Sequence, residues 1–113
     1  MGALSSLIRS FSMDHSKIFI VIIRYVVPLE TIIAQREEHV KFLDKYYETG
    51  IFHASGPQVP RTGGIIIAKA SSRDALNEIL NEDPFYQYKS AEYQIFEFGV
   101  NKKSDAFATF LES

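Results

Sequence analysis

Residues 18–27 read IFIVIIRYVV, an almost wholly apolar run whose only charge is Arg24. Ile18, Ile20, Ile22 and Val26 fill one set of alternating positions, and Phe19, Val21, Ile23, Tyr25 and Val27 fill the other. β-Branched and aromatic residues on both sets predict a central strand covered on both faces. Pro28 closes the run and suits the first turn of a following helix.

Leu29 to Glu48 then change period. At about 100° per residue, Leu29, Ile32, Ile33, Val40, Leu43 and Tyr47 gather within about a quarter of the circumference, which predicts an amphipathic helix with that stripe on the core. Gly50 is its expected stop. Ile51–Val59 alternate as a second strand that bends or ends at Gly56-Pro57. Pro60–Gly64 form a loop into a third strand, Ile65–Ala70. Ser71 and Ser72 are placed to cap a second helix over about 73–82, with Asp74 as a capping-box partner of Ser71. Asp83-Pro84-Phe85 breaks that helix, because a residue before proline avoids the α region. Ala91–Gly99 make a last strand.

The order β-α-β-β-α-β is that of a ferredoxin-like α+β domain. Two helices cover one face of such a sheet and leave the other bare. Since neither face of the first strand is polar, a monomer would expose more apolar surface than soluble monomers usually carry. The second face is therefore expected to pack on another sheet, most simply in a homodimer.

The composition agrees with one small domain. The chain has 113 residues, and dividing them between two domains would leave each with too little core. Twelve cations nearly balance 14 anions, which argues against disorder and leaves no basic excess for nucleic-acid binding. The absence of cysteine excludes a disulfide scaffold, a thiolate zinc site and a cysteine nucleophile. No apolar run approaches the ~20 residues that span a bilayer, so a membrane partner is not expected.

Residues 1–17 read as a flexible N-terminal extension to the domain at 18–100. Their serine-rich, acid-poor start also has the composition of an organelle transit peptide, and Met13 offers a second start site. A cytoplasmic place is expected otherwise. Residues 101–113 form a tail, in which Ser104–Leu111 predict a short helix presenting Phe107, Phe110 and Leu111.

Two residues of the first helix stand apart. His39 and Arg36 lie within its apolar stripe, where a cation needs a carboxylate, a backbone acceptor or a water-filled pocket. Asp83, beside apolar Phe85, is the best acidic partner for His39. Such a pair would fix the imidazole tautomer and leave the other ring nitrogen as a general base. Ser55, before Gly56-Pro57, could bind a substrate oxygen. Purely structural roles stay open at this point: a carbonyl-bonded histidine, a loop-anchoring arginine, a turn-capping aspartate and a small strand-end serine. The three histidines lack metal-motif spacing, and Gly63-Gly64 lacks phosphate-loop spacing, so no metal or cofactor is expected.

Taken in order, Arg36-x-x-His39, Gly50, Ser55-Gly56-Pro57, Gly63-Gly64, Asp83-Pro84-Phe85 and a last strand containing Tyr93 resemble the YciI-like family. The resemblance runs from about Ile18 to Val100. It implies a dimeric α+β barrel of ferredoxin-like subunits with a cleft near the dimer. It also implies a catalytic His–Asp pair on His39 and Asp83, with Arg36, Ser55, Gly56 and Pro57 around the substrate. A related enzyme removes chloride from a chlorinated hydroquinone with such a pair. The expected function is thus cofactor-independent acid–base chemistry, elimination or isomerisation, on a small aromatic or cyclic substrate. The competing expectation is a non-catalytic module that binds a small ligand or assembles with other copies.

Overall fold

The computed structural model describes residues 17–113. The extension, transit-peptide and start-site readings of the N terminus fall on residues outside these, except Lys17, which opens the first strand. The elements are β1 (Lys17–Tyr25), α1 (Leu29–Glu48), β2 (Phe52–Pro57), β3 (Gly63–Ala70), α2 (Arg73–Leu80), α3 (Pro84–Gln87), β4 (Ala91–Phe98) and α4 (Asp105–Glu112). The strands form one antiparallel sheet in the order β2-β3-β1-β4. The domain is thus ferredoxin-like α+β, with the strand expected to be central lying inside the sheet.

Strand periodicity sends Phe19, Val21 and Ile23 of β1 to the helix-covered face, together with Ile66 and Ala68 of β3 and Phe52 of β2. They pack with Ile32, Phe42 and Tyr46 of α1, Leu76 and Leu80 of α2, and Phe85 of α3. Fully burying side chains of this size contributes about 1.5–3 kcal/mol each. At the far end of β1 the chains approach closely. A β-carbon on Gly63 would stand 1.7 Å from the Ile23 carbonyl oxygen, so only glycine fits there. Gly50 ends α1 with φ +83°, as its position after Glu48 predicts.

The axial orientation of α1 differs from the sequence expectation. Of the predicted stripe only Ile32 is buried and Leu43 partly so, whereas Leu29, Ile33, Val40 and Tyr47 are exposed, Ile33 by 54%. The side turned to the sheet carries Ile32, His39, Phe42 and Tyr46. Two large aromatic side chains bury more area than the smaller aliphatic ones, and they decide the rotation. Gln35 also lies on this side, where its carbonyl accepts a hydrogen bond from the buried Ser90 hydroxyl at 2.7 Å.

The second helix begins at Arg73 as expected but ends at Leu80, earlier than expected. Of the two candidate serines Ser72 caps α2, its hydroxyl accepting from the Ala75 amide at 3.1 Å, and the Ser71–Asp74 capping box does not form. The segment after Leu80 does not continue α2. Instead Asp83 caps the extra turn α3, with Pro84 at its first position.

The second face of the sheet is not wholly bare. α4 lies across one end of it, where the Lys69 ammonium donates to the carbonyls of Phe110, Leu111 and Ser113 at 3.0, 3.3 and 2.9 Å. This cover buries Ile18 and Lys69. The remainder, with Ile20, Ile22, Ile65, Phe96 and Phe98, stays partly open, and Phe96 and Phe98 are each 48% exposed. Among the described residues no helix is long and apolar enough to cross a membrane.

Candidate active site

α1 delivers His39 to the sheet side of the helix, and the Asp-Pro-Phe break delivers two partners to meet it. Asp83, the α3 cap, has no solvent exposure. Its Oδ1 lies 2.8 Å from His39 Nδ1 and accepts the Phe85 backbone N–H at 3.0 Å. Its Oδ2 accepts the hydroxyl of Tyr93, which β4 brings in from the sheet. The Phe85 ring stacks on the imidazole, centroids 4.1 Å apart and planes 15° from parallel. Histidine is thus held in plane by stacking and in rotation by the carboxylate.

These contacts assign the imidazole proton. An ionised carboxylate can only accept, so Nδ1 is the donor toward Asp83, and in the neutral imidazole the lone pair is then on Nε2. Tyr93 contributes to this arrangement by remaining a phenol. Its burial, then the adjacent Asp83 charge and hydrogen bond, push its pKa far above the ordinary range. Asp83 accepts three hydrogen bonds, and none of its partners competes for the Nδ1 proton.

His39 forms part of the wall of an open cleft of about 350 Å³ between α1 and the β2–β3 edge of the sheet. Ile32, Arg36, Val40 and Leu43 line it from α1, and Ser55, Gly56, Pro57, Gly64 and Ile66 line it from the strands. Phe85 closes the back, and Arg61 projects from the β2–β3 connection. The Ser55 hydroxyl is 2.6 Å from the Tyr47 hydroxyl, so the pair can offer a proton to a third oxygen. Every residue singled out from the sequence (His39, Asp83, Arg36, Ser55, Gly56 and Pro57) therefore comes to this cleft or, for Asp83, stands directly behind it.

Four participants were not singled out for the site: Tyr93, Phe85 as a stacking partner, Tyr47 and Arg61. Alternation with Ala91 and Ile95 could have placed Tyr93 on the helix face, but its partner is 10 residues away across a turn. For Arg61 the only signal was a cation inside a Pro-Arg-Thr-Gly loop, a setting that is usually solvated. Among the described residues no group of three His, Asp or Glu side chains is disposed to hold a metal ion.

The fold and cleft together agree with a comparison of the sequence against protein families, in which the YCII-related domain matches residues 18–99. The chain belongs to the YCII-related family. Among solved structures it is similar to 5-chloro-2-hydroxyhydroquinone dehydrochlorinase (TftG) from Burkholderia phenoliruptrix, in complex with 2,5-dihydroxybenzoquinone. The TM-score is 0.63 at 19% identity, over 74% of this chain and 95% of that one. A structural-genomics protein, YJCS, is similar at TM-score 0.45 and 16% identity, over 75% of this chain and 99% of that one. No curated protein matches the chain. At such identities the dehydrochlorinase likeness is one of fold, and it is the fold expected for a YCII-related member.

Proposed function

We propose that the chain is a cofactor-independent acid–base enzyme acting on a small aromatic or cyclic substrate. The observation that carries this reading is the 2.8 Å contact between His39 Nδ1 and the unexposed Asp83 carboxylate, which leaves Nε2 for the cleft. In the proposed reaction Nε2 takes a proton from a substrate carbon. The electron pair left behind either expels a leaving group from the adjacent carbon or is reprotonated elsewhere, giving elimination or isomerisation. Asp83 and Tyr93 hold the tautomer and stabilise the imidazolium formed. Arg36, the Ser55–Tyr47 pair and the backbone at Gly56-Pro57 face the substrate oxygens.

Membership of the YCII-related family and the dehydrochlorinase fold likeness both favour an enzyme on small molecules. The open sheet face of Ile20, Ile22, Ile65, Phe96 and Phe98 further supports a homodimer, and a cytoplasmic place belongs to the same reading. A stable 12.9 kDa monomer in sedimentation at micromolar concentration would remove the dimer.

The enzyme reading is tested by incubating a panel of cyclic and aromatic carbon acids in D2O and following C–H exchange and product by NMR. Wild type should exchange at least one compound class about 100-fold faster than His39→Gln, the lower end of general acid–base contributions. Equal rates for both proteins across the panel, or ligand bound but unchanged, would overturn it in favour of a binding module.

A further inference from the structure

The cleft carries an uncompensated charge. Arg36 reaches it from the helix wall and Arg61 from the strand wall, yet no aspartate or glutamate is among the lining residues that are described. The ion pairs among the described residues join Arg24 to Glu92, His39 to Asp83 and Lys45 to Glu82, and among these same residues neither Arg36 nor Arg61 enters one or makes a side-chain hydrogen bond. The rest of the wall is largely apolar, with Ile23, Ile32, Val40, Leu43 and Phe85. An arginine beside apolar surface that lacks a carboxylate partner is a ready acceptor for an anion in the two-point geometry of its guanidinium.

The spacing links this charge to the proposed chemistry. Arg36 precedes His39 by three residues on α1, so the two side chains are neighbours on one helix surface, their β-carbons about 5–6 Å apart. An anionic group held at Arg36 would therefore lie within the length of a small ring from His39 Nε2. Charge balance points the same way. Two arginines and the Asp83 carboxylate sum to +1, and a bound monoanion brings the constellation to zero. Proton transfer to His39 then conserves this balance, because the substrate gains the negative charge that the imidazolium offsets.

We infer that the cleft takes an anionic substrate, one carrying a carboxylate or a comparable oxyanion, clamped between Arg36 and Arg61. This rests on the acid–base reading of the same site for its purpose, but not for its test. The arginines would set both affinity and orientation, turning the acidic hydrogen of the substrate toward Nε2. Arginines so placed would also draw the anion in by charge, and added salt would weaken its binding.

The test compares two pairs of shape-matched probes by calorimetry or ligand-observed NMR: benzoate with benzamide, and 2,5-dihydroxybenzoate with 2,5-dihydroxybenzamide. Each carboxylate should bind at least about tenfold more tightly than its amide, the lower end of a charge-assisted hydrogen bond. Arg36→Gln and Arg61→Gln should each reduce that preference, and the double variant should erase it, while circular dichroism remains that of wild type because both side chains are exposed. His39→Gln should keep the preference. Equal binding of acid and amide, a preference that survives the double variant, or no carboxylate binding up to about 10 mM would overturn the inference. Because the readout is binding, an inert His39–Asp83 pair would leave this result standing. A wrong assignment of the anion would likewise leave the C–H exchange test standing.

Discussion

Replacing Asp83 with asparagine exchanges one oxygen of an unexposed side chain for an NH2 group. Oδ1 receives two donors, His39 Nδ1 at 2.8 Å and the Phe85 amide at 3.0 Å, whereas Oδ2 receives only the Tyr93 hydroxyl. Asparagine therefore keeps its oxygen at the Oδ1 position and turns its NH2 toward Tyr93. His39 retains the Nδ1–H tautomer, unlike serine-protease triads, where the same exchange inverts the imidazole. The energetic loss has two parts. Hydrogen bonds to a charged group contribute about 1.5–3 kcal/mol and neutral ones about 0.5–1.5, so the two retained bonds weaken by about 1 kcal/mol each. The Tyr93 hydroxyl, now accepting, loses the acceptor for its own proton at about 1–2 kcal/mol. Removing a buried charge offsets part of this, which leaves a net destabilisation of about 2–3 kcal/mol. Urea unfolding followed by circular dichroism should show a lower midpoint with an unchanged slope at matched protein concentration. Nitrogen-15 NMR of the ring should show Nδ1 still protonated. A loss below about 1 kcal/mol, or conversion of His39 to the Nε2–H tautomer, would refute the three-donor account of Asp83.

Tyr93 should make the fold sensitive to alkali. The unfolded chain releases the phenolic proton near pH 10 while the folded chain holds it, so stability falls as pH rises above 10. Tyr93→Phe should flatten that decline in urea midpoints between about pH 9.5 and about pH 11.5, and parallel declines in both proteins would contradict it. Gly63→Ala forces a β-carbon onto the Ile23 carbonyl and should cost more than about 4 kcal/mol, or prevent folding, whereas Gly56→Ala meets nothing within 4 Å and should fold normally. A small thermal shift for Gly63→Ala would show that β1 and β3 can separate freely. Lys69→Met removes the donor that holds three terminal carbonyls, so amides of α4 should lose hydrogen-exchange protection while those of the sheet keep theirs. Unchanged protection in α4 would mean that its apolar contacts suffice.

How far the sequence reached depended on whether the signal was local. β1 and α1 were legible because periods of two and 3.6 are written in the residues themselves, and Gly50 marked the helix end through its backbone freedom. Cap position was less so: Ser71 and Ser72 are chemically equivalent, and only the path of the chain chose Ser72. The candidate site was partly legible through oddity, a histidine and an arginine in an apolar stripe and an aspartate at a proline break. The stripe itself was misleading, since Phe42 and Tyr46 rather than Ile33 and Val40 face the sheet.

By itself, the sequence determined the βαββαβ order, the apolar character of both faces of β1, the absence of cysteine and the choice of His39 as the residue on which the proposed chemistry rests. Tertiary structure decided the rotation of α1, the meeting of His39, Asp83 and Tyr93, the appearance of Arg61 opposite Arg36, and the partial covering of the second sheet face by α4. The division has one physical cause. Period and turn chemistry act between residues a few positions apart, whereas His39 and Asp83 are 44 positions apart and Lys69 and Phe110 are 41. Contacts at such separations are selected by packing of the whole domain, where the largest buried side chains choose first and the polar groups take the partners that remain.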